Sequence, residues 1–410
     1  MVQEYFSLLI IVILAFITPL IFTRIGVPVV VGEIVLGLAV GLIVYFYNSF
    51  TGQELILVGD SVKFLATIGF IFLMFLSGLE LDFARLEGTG RKTMVRGSLI
   101  LIGTMIIAYP LSAALSEASG IDMNISYMTL VLSTTSVAIV LTVAREMHIS
   151  RKNYGQQIII ASLIADMGTM ILITVFTIRV QFIQTGDPLF GLIAVLLFVL
   201  IFAFFYFIFK LGSWAIWYYP DMLRKFFRSD DPHEIGVRAS LAIIFVFVAV
   251  SAVIESEALA VIGAFLAGAV ISLLFQEGAI LNKKLYGIGY GFLVPIFFIN
   301  LGITFNFDAI LEVSAMILLP SLFAIAVLAK IVPSLLFAGG KGWRMNLATG
   351  LILSGRLSLL IAAGEIGLRL GILDETIHAV IILLAIVFSV ISPILFKYVF
   401  QRYNLEKEIS

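Results

Sequence analysis

Apolar runs of about 18–25 residues recur along the whole chain, and each is long enough to cross a hydrocarbon core of about 30 Å. About thirteen are predicted, near 4–23, 27–47, 62–81, 97–116, 124–145, 156–178, 188–210, 238–254, 257–275, 287–304, 312–337, 345–369 and 377–399. In lipid each backbone N–H and C=O needs an internal partner, so runs of this length fold as helices. Composition agrees: 61% of the 410 residues are hydrophobic and only 12% charged, about half the charged share of a soluble domain. A soluble globular protein and a disordered chain are excluded. With no cysteine there is no disulfide scaffold and no thiolate metal site. A net charge of -1 leaves no basic surface for nucleic acid. The fold class is an all-α polytopic membrane protein, a single membrane domain over 1–410.

The N-terminus, Met1-Val2-Gln3-Glu4, has neither a positive n-region nor a cleavage site, so the first run is expected to be a retained span. Basic residues set the orientation. With the N-terminus outside, the alternate loops assigned to the inside carry nearly all of the 25 Lys and Arg residues. The exceptions are Lys63, Arg179 and Arg369 at outside edges, and Lys330 and Arg356 within spans. One missed helix would invert every later loop. The expectation is an odd number of spans, N-terminus outside and C-terminus cytoplasmic.

Three local patterns occur twice in the same order, offset by roughly 220–230 residues. Gly32-Glu33-Ile34-Val35-Leu36-Gly37 matches Gly263-Ala264-Phe265-Leu266-Ala267-Gly268. Gly78-Leu79-Glu80-Leu81-Asp82-Phe83 matches Gly302-Ile303-Thr304-Phe305-Asn306-Phe307. Leu132-Ser133-Thr134-Thr135-Ser136 matches Leu353-Ser354-Gly355-Arg356-Leu357-Ser358. Partners lie seven spans apart, an odd number, so the copies cross the membrane in opposite senses. Inverted repeats of about five helices, 27–178 and 238–400, are the architecture of secondary transporters. Small residues in packed helices also make such patterns by chance. The segment 188–237 is expected to connect the copies. Trp214, Trp217, Tyr218 and Tyr219 ahead of Arg224, Lys225 and Arg228 read as an interfacial amphipathic helix.

The third pair interrupts its spans with polar and glycine residues at mid-membrane. Non-helical backbone there is tolerated only where it is buried in protein or lines a cavity. Two equivalent interruptions point to paired broken helices around an ion site. The alternative is two continuous helices whose Ser and Thr hydroxyls bond back to their own carbonyls.

Three charges sit deep: Asp166, Lys330 and Arg356. Together they cost roughly 8–10 kcal/mol on insertion scales, so something must compensate. A structural salt bridge is the plain reading for Arg356. For Asp166 two effects oppose: desolvation favours the protonated carboxyl and a nearby cation favours the ionised one. A balance lets it hold a proton or a hard cation such as Na⁺ or K⁺. Hydroxyls of Ser133, Thr134, Thr135 and Ser136, with unwound carbonyls, could complete the oxygen ligands. Proton and metal cannot both hold the carboxylate, which implies exchange of one for the other.

Weaker candidates surround these. Glu33 is expected to keep its head in water, or to belong to an inner funnel. Glu80 and Asp82 are expected at a solvated inner end. Glu365 either snorkels outward or pairs with Arg356. Asn300 is expected as a polar neighbour of the interruptions. His148, His233 and His378 fall in loops or at span ends, with His148 a candidate pH sensor.

Phe75-Leu76-Ser77-Gly78-Leu79-Glu80-Leu81-Asp82, Pro295-Ile296-Phe297-Phe298-Ile299-Asn300-Leu301-Gly302 and Gly263–Gly268 resemble signatures of the monovalent cation:proton antiporters of the Kef/NapA-type branch. The resemblance covers nearly the whole chain. It implies a core domain with two crossed, broken helices, a separate dimerisation domain, a homodimer and an elevator-like movement of the core. It implies Asp166 as the cation and proton carboxylate, Lys330 as the core lysine and Thr134 with its neighbours as a breakpoint. No cofactor is implied. The departures matter. Relatives carry two carboxylates or Asn-Asp where this chain has Ala165-Asp166, which leaves Lys330 to pair with Asp166 itself. Many carry Arg-Gly-Glu where this chain has Arg356-Leu357-Ser358. One membrane carboxylate predicts 1:1, electroneutral exchange; a proton lost by Lys330 during the cycle would add a charge.

A cation channel without proton coupling is one rival. A Kef-like potassium efflux system is another, against which stands a C-terminus expected about ten residues beyond the last span. A sodium-coupled organic-anion symporter would need a roomier cavity. An enzyme is not expected: His233-Glu234-Ile235-Gly236-Val237 fails the His-Glu-x-x-His pattern and no Gly-x-Ser-x-Gly elbow occurs.

Overall fold

The computed structural model describes residues 2–25, 27–52, 58–79, 91–150, 152–185, 235–254, 257–274, 279–337, 342–403 and 405. The expected span 188–210, the connector up to 234, His233, Glu80 and Asp82 lie outside them. In chain order the helices are α1 (Val2–Phe22), α2 (Val29–Thr51), α3 (Asp60–Leu79), α4 (Arg91–Ser119), α5 (Ile125–Ser133), α6 (Val137–Glu146), α7 (Asn153–Thr185) and α8 (Ile235–Ile254). They continue with α9 (Glu257–Leu274), α10 (Ala279–Ile288), a π-turn (Gly289–Leu293), α11 (Val294–Ile303), α12 (Phe307–Leu311), α13 (Val313–Phe337), α14 (Trp343–Leu353), α15 (Ser358–Arg369) and α16 (Glu375–Arg402).

The described residues contain no strand. Eight helical segments are long and apolar enough to cross a membrane, or nine with α14 and α15 taken as one bent span. Every expected run except 188–210 falls on a helix or a broken pair. Prolines 19, 110, 320, 333 and 393 lie inside helices, as membrane helices tolerate.

The chain forms two compact units. The first comprises Met1–Ala84 and Val180–Phe305. Its helices approach through glycine. A Cβ on Gly302 of α11 would stand 2.5 Å from the Ile34 carbonyl oxygen of α2, and one on Gly37 would strike the Ile299 oxygen. The same reciprocity joins α3 and α9: a Cβ on Gly78 would strike the Phe265 oxygen, and one on Gly268 the Phe75 oxygen. The matched glycines of the sequence are therefore used equivalently. Gly37 and Gly268 are mates in sequence, Gly78 and Gly302 likewise, and each crossing takes one from either pair. Close approach of backbones is what drives helix association where lipid is as apolar as leucine. Around these crossings Ile11, Val62, Ala66, Ile296 and Ile299 form a buried cluster, and Phe70 stacks on Phe297 at 4.8 Å.

Glu33 corrects its expectation. It is 3% exposed, with Oε2 buried and lacking a hydrogen-bond partner. The helix begins at Val29, so Glu33 lies a full turn inside α2, among buried Gly32, Ile34 and Gly37.

The second unit comprises Arg85–Arg179 and Asn306–Ser410. It runs twice through one pattern: a long helix, a broken pair and a long helix. The first set is α4, α5 with α6, and α7 to Arg179; the second is α13, α14 with α15, and α16. Asn124 caps α5 by accepting from Tyr127 N at 3.0 Å, and Asp374 caps α16 by accepting from Ile377 N at 2.7 Å. Two buried tyrosines tie the sets: Tyr127 donates to the Ala363 carbonyl at 2.7 Å, and Tyr154 pairs with the Thr349 hydroxyl at 3.0 Å.

Candidate cation and proton site

The first break begins at Thr134, whose ψ of 156° takes the chain out of α5. Its amide and hydroxyl both donate to the Val131 carbonyl, at 3.3 and 2.8 Å. Ser136 is extended, and its hydroxyl accepts from Ile139 N at 3.4 Å to start α6. The axis of 125–146 turns by no more than 40° at this gap. The second break falls between Leu353 and Ser358 and bends its span by 48°. Ser354 returns both its amide and its hydroxyl to the Gly350 carbonyl, at 3.1 and 2.9 Å.

The two breaks bond to each other. Ser136 N donates to the Gly355 carbonyl at 2.9 Å, and the Thr135 hydroxyl donates to the Leu353 carbonyl at 3.2 Å. Each break leaves carbonyls without helical partners at a C-terminus, which also carries roughly half a negative charge. Two buried cations occupy these ends. Lys330 Nζ donates to the Ser133 carbonyl at 2.7 Å and to the Thr135 hydroxyl at 2.8 Å. Arg356 donates through Nε to the Ser354 carbonyl at 3.1 Å, through Nη1 to the Leu132 carbonyl, and through Nη2 to the Ala326 carbonyl at 3.5 Å. Both side chains are wholly buried. Hydrogen bonds to a charged group contribute about 1.5–3 kcal/mol each, which offsets the insertion cost of each cation.

This corrects the salt-bridge reading of Arg356. Among the described residues no carboxylate lies within ion-pair distance of it. Glu365 is taken elsewhere: it holds Arg369 Nε at 2.8 Å and lies 3.2 Å from His378 Nε2. The second is an ion-pair distance without hydrogen-bond alignment. The physical reason is helical pitch. Glu365 and Arg369 are i and i+4 on α15, neighbours on one face, whereas Arg356 precedes that helix altogether.

Asp166 is half-buried on α7. It belongs to the same unit as the two breaks, Lys330 and Arg356. Ser133, Thr134 and Thr135 are fully buried and Ser136 nearly so. The Ser133 hydroxyl donates to the Thr129 carbonyl at 2.7 Å. The protons of Ser133, Thr134 and Thr135 are thus committed to carbonyls, and their remaining lone pairs are what they could offer a cation. Asn300 falls in the first unit, its Oδ1 buried without a hydrogen-bond partner. His148 sits in the loop after α6 with φ 55°. Sequence reasoning missed Tyr127, Tyr154 and Phe388; aromatic residues in apolar spans carry no signal that separates them from ordinary core. It also missed a small open cleft lined by Thr93, Arg96, Tyr154, Gln157, Ala161 and Thr349.

Residues 11–401 match the transmembrane sodium/hydrogen exchanger family. The chain belongs to that family. The chain is 33% identical over 417 residues to the putative Na(+)/H(+) antiporter YjbQ of Bacillus subtilis, covering 98% of the chain and 64% of YjbQ. The chain therefore spans just under two thirds of that relative's length. It is 27% identical over 389 residues to the Na(+)/H(+)-K(+) antiporter GerN of Bacillus cereus, covering 92% and 91% of the two. Among solved structures it is similar in fold to the sodium proton antiporter MjNhaP1 of Methanocaldococcus jannaschii at pH 8, with a TM-score of 0.57, 14% identity and 97% of each chain covered. The exchanger is thus a multi-pass helical membrane protein of a transporter family.

Proposed function

We propose that this exchanger is a secondary active antiporter that moves Na⁺ in exchange for H⁺ by alternating access, with Asp166 as the shared site. The observation that carries the reading is a half-buried carboxylate in the same unit as a lysine buried where two helix breaks meet. An ionised Asp166 attracts either load. A proton removes its charge and so removes the cation's principal ligand; a bound Na⁺ blocks the proton. Lone pairs of Ser133, Thr134, Thr135 and Ser136 supplement the carboxylate. Lys330 and Arg356 hold the breaks open by satisfying their carbonyls, so neither needs to leave its place when the load changes. Since one Na⁺ and one H⁺ neutralise the same single charge, exchange is 1:1 and electroneutral. The protein works without cofactor and catalyses no chemical conversion. It belongs with the Kef/NapA-type branch, acts as a homodimer, and sits with its N-terminus outside and its C-terminus in the cytoplasm, as the basic loops favour.

K⁺ is the second reading for the cargo, favoured by the GerN similarity. The test is dissipation of a pH gradient in proteoliposomes, with Na⁺ and K⁺ added in turn. Wild type is expected to respond to Na⁺ and Asp166→Asn to neither ion. An active Asp166→Asn protein would overturn the site. Cation flux without proton flux would turn the reading to a channel. A rate that changes under a valinomycin-clamped potential would overturn electroneutrality.

A further inference from the structure

We infer that Phe388 is a positioning residue that fixes the plane of Arg356 by presenting its ring face to the guanidinium. A guanidinium is a planar fork whose donors lie in its plane. In Arg356 those donors run to carbonyls of three segments: Leu132 at the end of α5, Ala326 of α13 and Ser354 in the second break. In-plane bonds to neutral carbonyls leave the positive faces of the fork uncompensated, and no carboxylate among the described residues faces them. Phe388 of α16 takes that role. Its ring centroid lies 4.6 Å from the guanidinium carbon, and the ring is 1% exposed. Phe323 of α13 stacks against it at 4.9 Å and 18°. On α13, Phe323, Ala326 and Lys330 lie at i, i+3 and i+7, one stripe. That stripe supports the ring, accepts from Arg356 and holds the first break through Lys330. One turn on from Phe388, the Ser392 hydroxyl donates to the Leu351 carbonyl in the last turn of α14. Helix α16 therefore grips the second break from both sides, with a hydroxyl on its carbonyls and a ring on its cation. Losing this desolvated cation–π contact is expected to let the guanidinium tilt and the Leu132 carbonyl with it, next to Ser133–Ser136.

The role in transport rests on the antiport reading above; the contact itself does not. The experiment replaces Phe388 by 4-fluoro-, 3,5-difluoro- and pentafluoro-phenylalanine, which keep the shape and progressively drain the negative ring face. Two quantities are read on each protein: the KM for Na⁺ in proteoliposomes and the thermal unfolding midpoint in detergent. KM is expected to rise stepwise, by about tenfold across the series, with kcat changing less, and the midpoint to fall in the same order. Phe388→Trp is expected to stay near wild type and Phe388→Leu to match the pentafluoro protein. A flat KM with a stepwise midpoint would overturn the positioning role; flat values in both would overturn the contact as well. If wild type exchanges no cation, the antiport reading fails, and with it the transport role, while the midpoint series still decides the contact.

Discussion

In the first unit helices meet through glycine and continuous backbone; in the second they meet where the backbone is broken and cations hold the ends. Gly37 with Gly302, and Gly78 with Gly268, bring carbonyls of one helix into the space a Cβ would fill on the other. The atoms that meet at those crossings are backbone ones. At the breaks the reverse holds: Lys330 and Arg356 supply the partners that α5 and α14 lose by stopping. The difference teaches where variability is tolerable. A glycine crossing has no alternative arrangement of similar energy, because packed helices do not deform continuously. A carbonyl at a helix break keeps a lone pair for a cation or a water beside its side-chain partner, so on the antiport reading proposed above the second unit is where a load is held and released.

The largest expected effect tests the rigid side. Gly78→Leu or Gly268→Leu should destabilise by about 3 kcal/mol or more through overpacking against backbone, read as lost monodispersity and a collapsed unfolding midpoint. Lys330→Met should behave differently. It removes two hydrogen bonds but also a buried charge, so stability is expected to fall by no more than about 1–3 kcal/mol while exchange drops to background. If Lys330→Met unfolds as completely as the glycine variants, the contrast between the units is wrong.

The competition proposed at Asp166 sharpens the comparison further. Protonation neutralises the carboxylate, so lowering the pH weakens apparent Na⁺ affinity. On the acid side of that titration KM should rise about tenfold per pH unit, as expected for one proton competing with one cation. Glu33→Gln, in the first unit, should leave that slope unchanged; a shifted slope would place a first-unit carboxyl in the exchange. Smaller again, Ser136→Ala removes the cap of α6 and should cost about 1 kcal/mol, seen in thermal unfolding. Least of all, Glu146→Gln breaks a partly exposed pair with Lys397 and should stay within about 0.5 kcal/mol.

The break positions were legible because they follow from local chemistry. Ser133–Ser136 and Ser354–Ser358 put hydroxyls and a glycine where an apolar span should continue, and side chains there compete for nearby carbonyls. The helix positions were legible for a similar reason: bilayer thickness imposes one length on every run. What each charge touches was not. Glu33 stayed open between an interfacial place and an inner funnel because its depth along α2 says nothing of its face, and Glu365 stayed open between an outward pose and pairing with Arg356 because both lie in one span.

The sequence by itself determined which segments are helical, where two of them break, and that Asp166, Lys330 and Arg356 lie deep, since period, length and polarity are properties of neighbouring residues. Only the tertiary structure decided that the buried cations donate to carbonyls at the two helix breaks, that the Phe388 ring lies over Arg356, and that the repeated glycines face each other across α2–α11 and α3–α9. Apart from the Ser354 carbonyl, two residues from Arg356, those partners stand about 30 to 270 residues apart in the chain, at separations where local chemistry carries no information and only packing selects the neighbour.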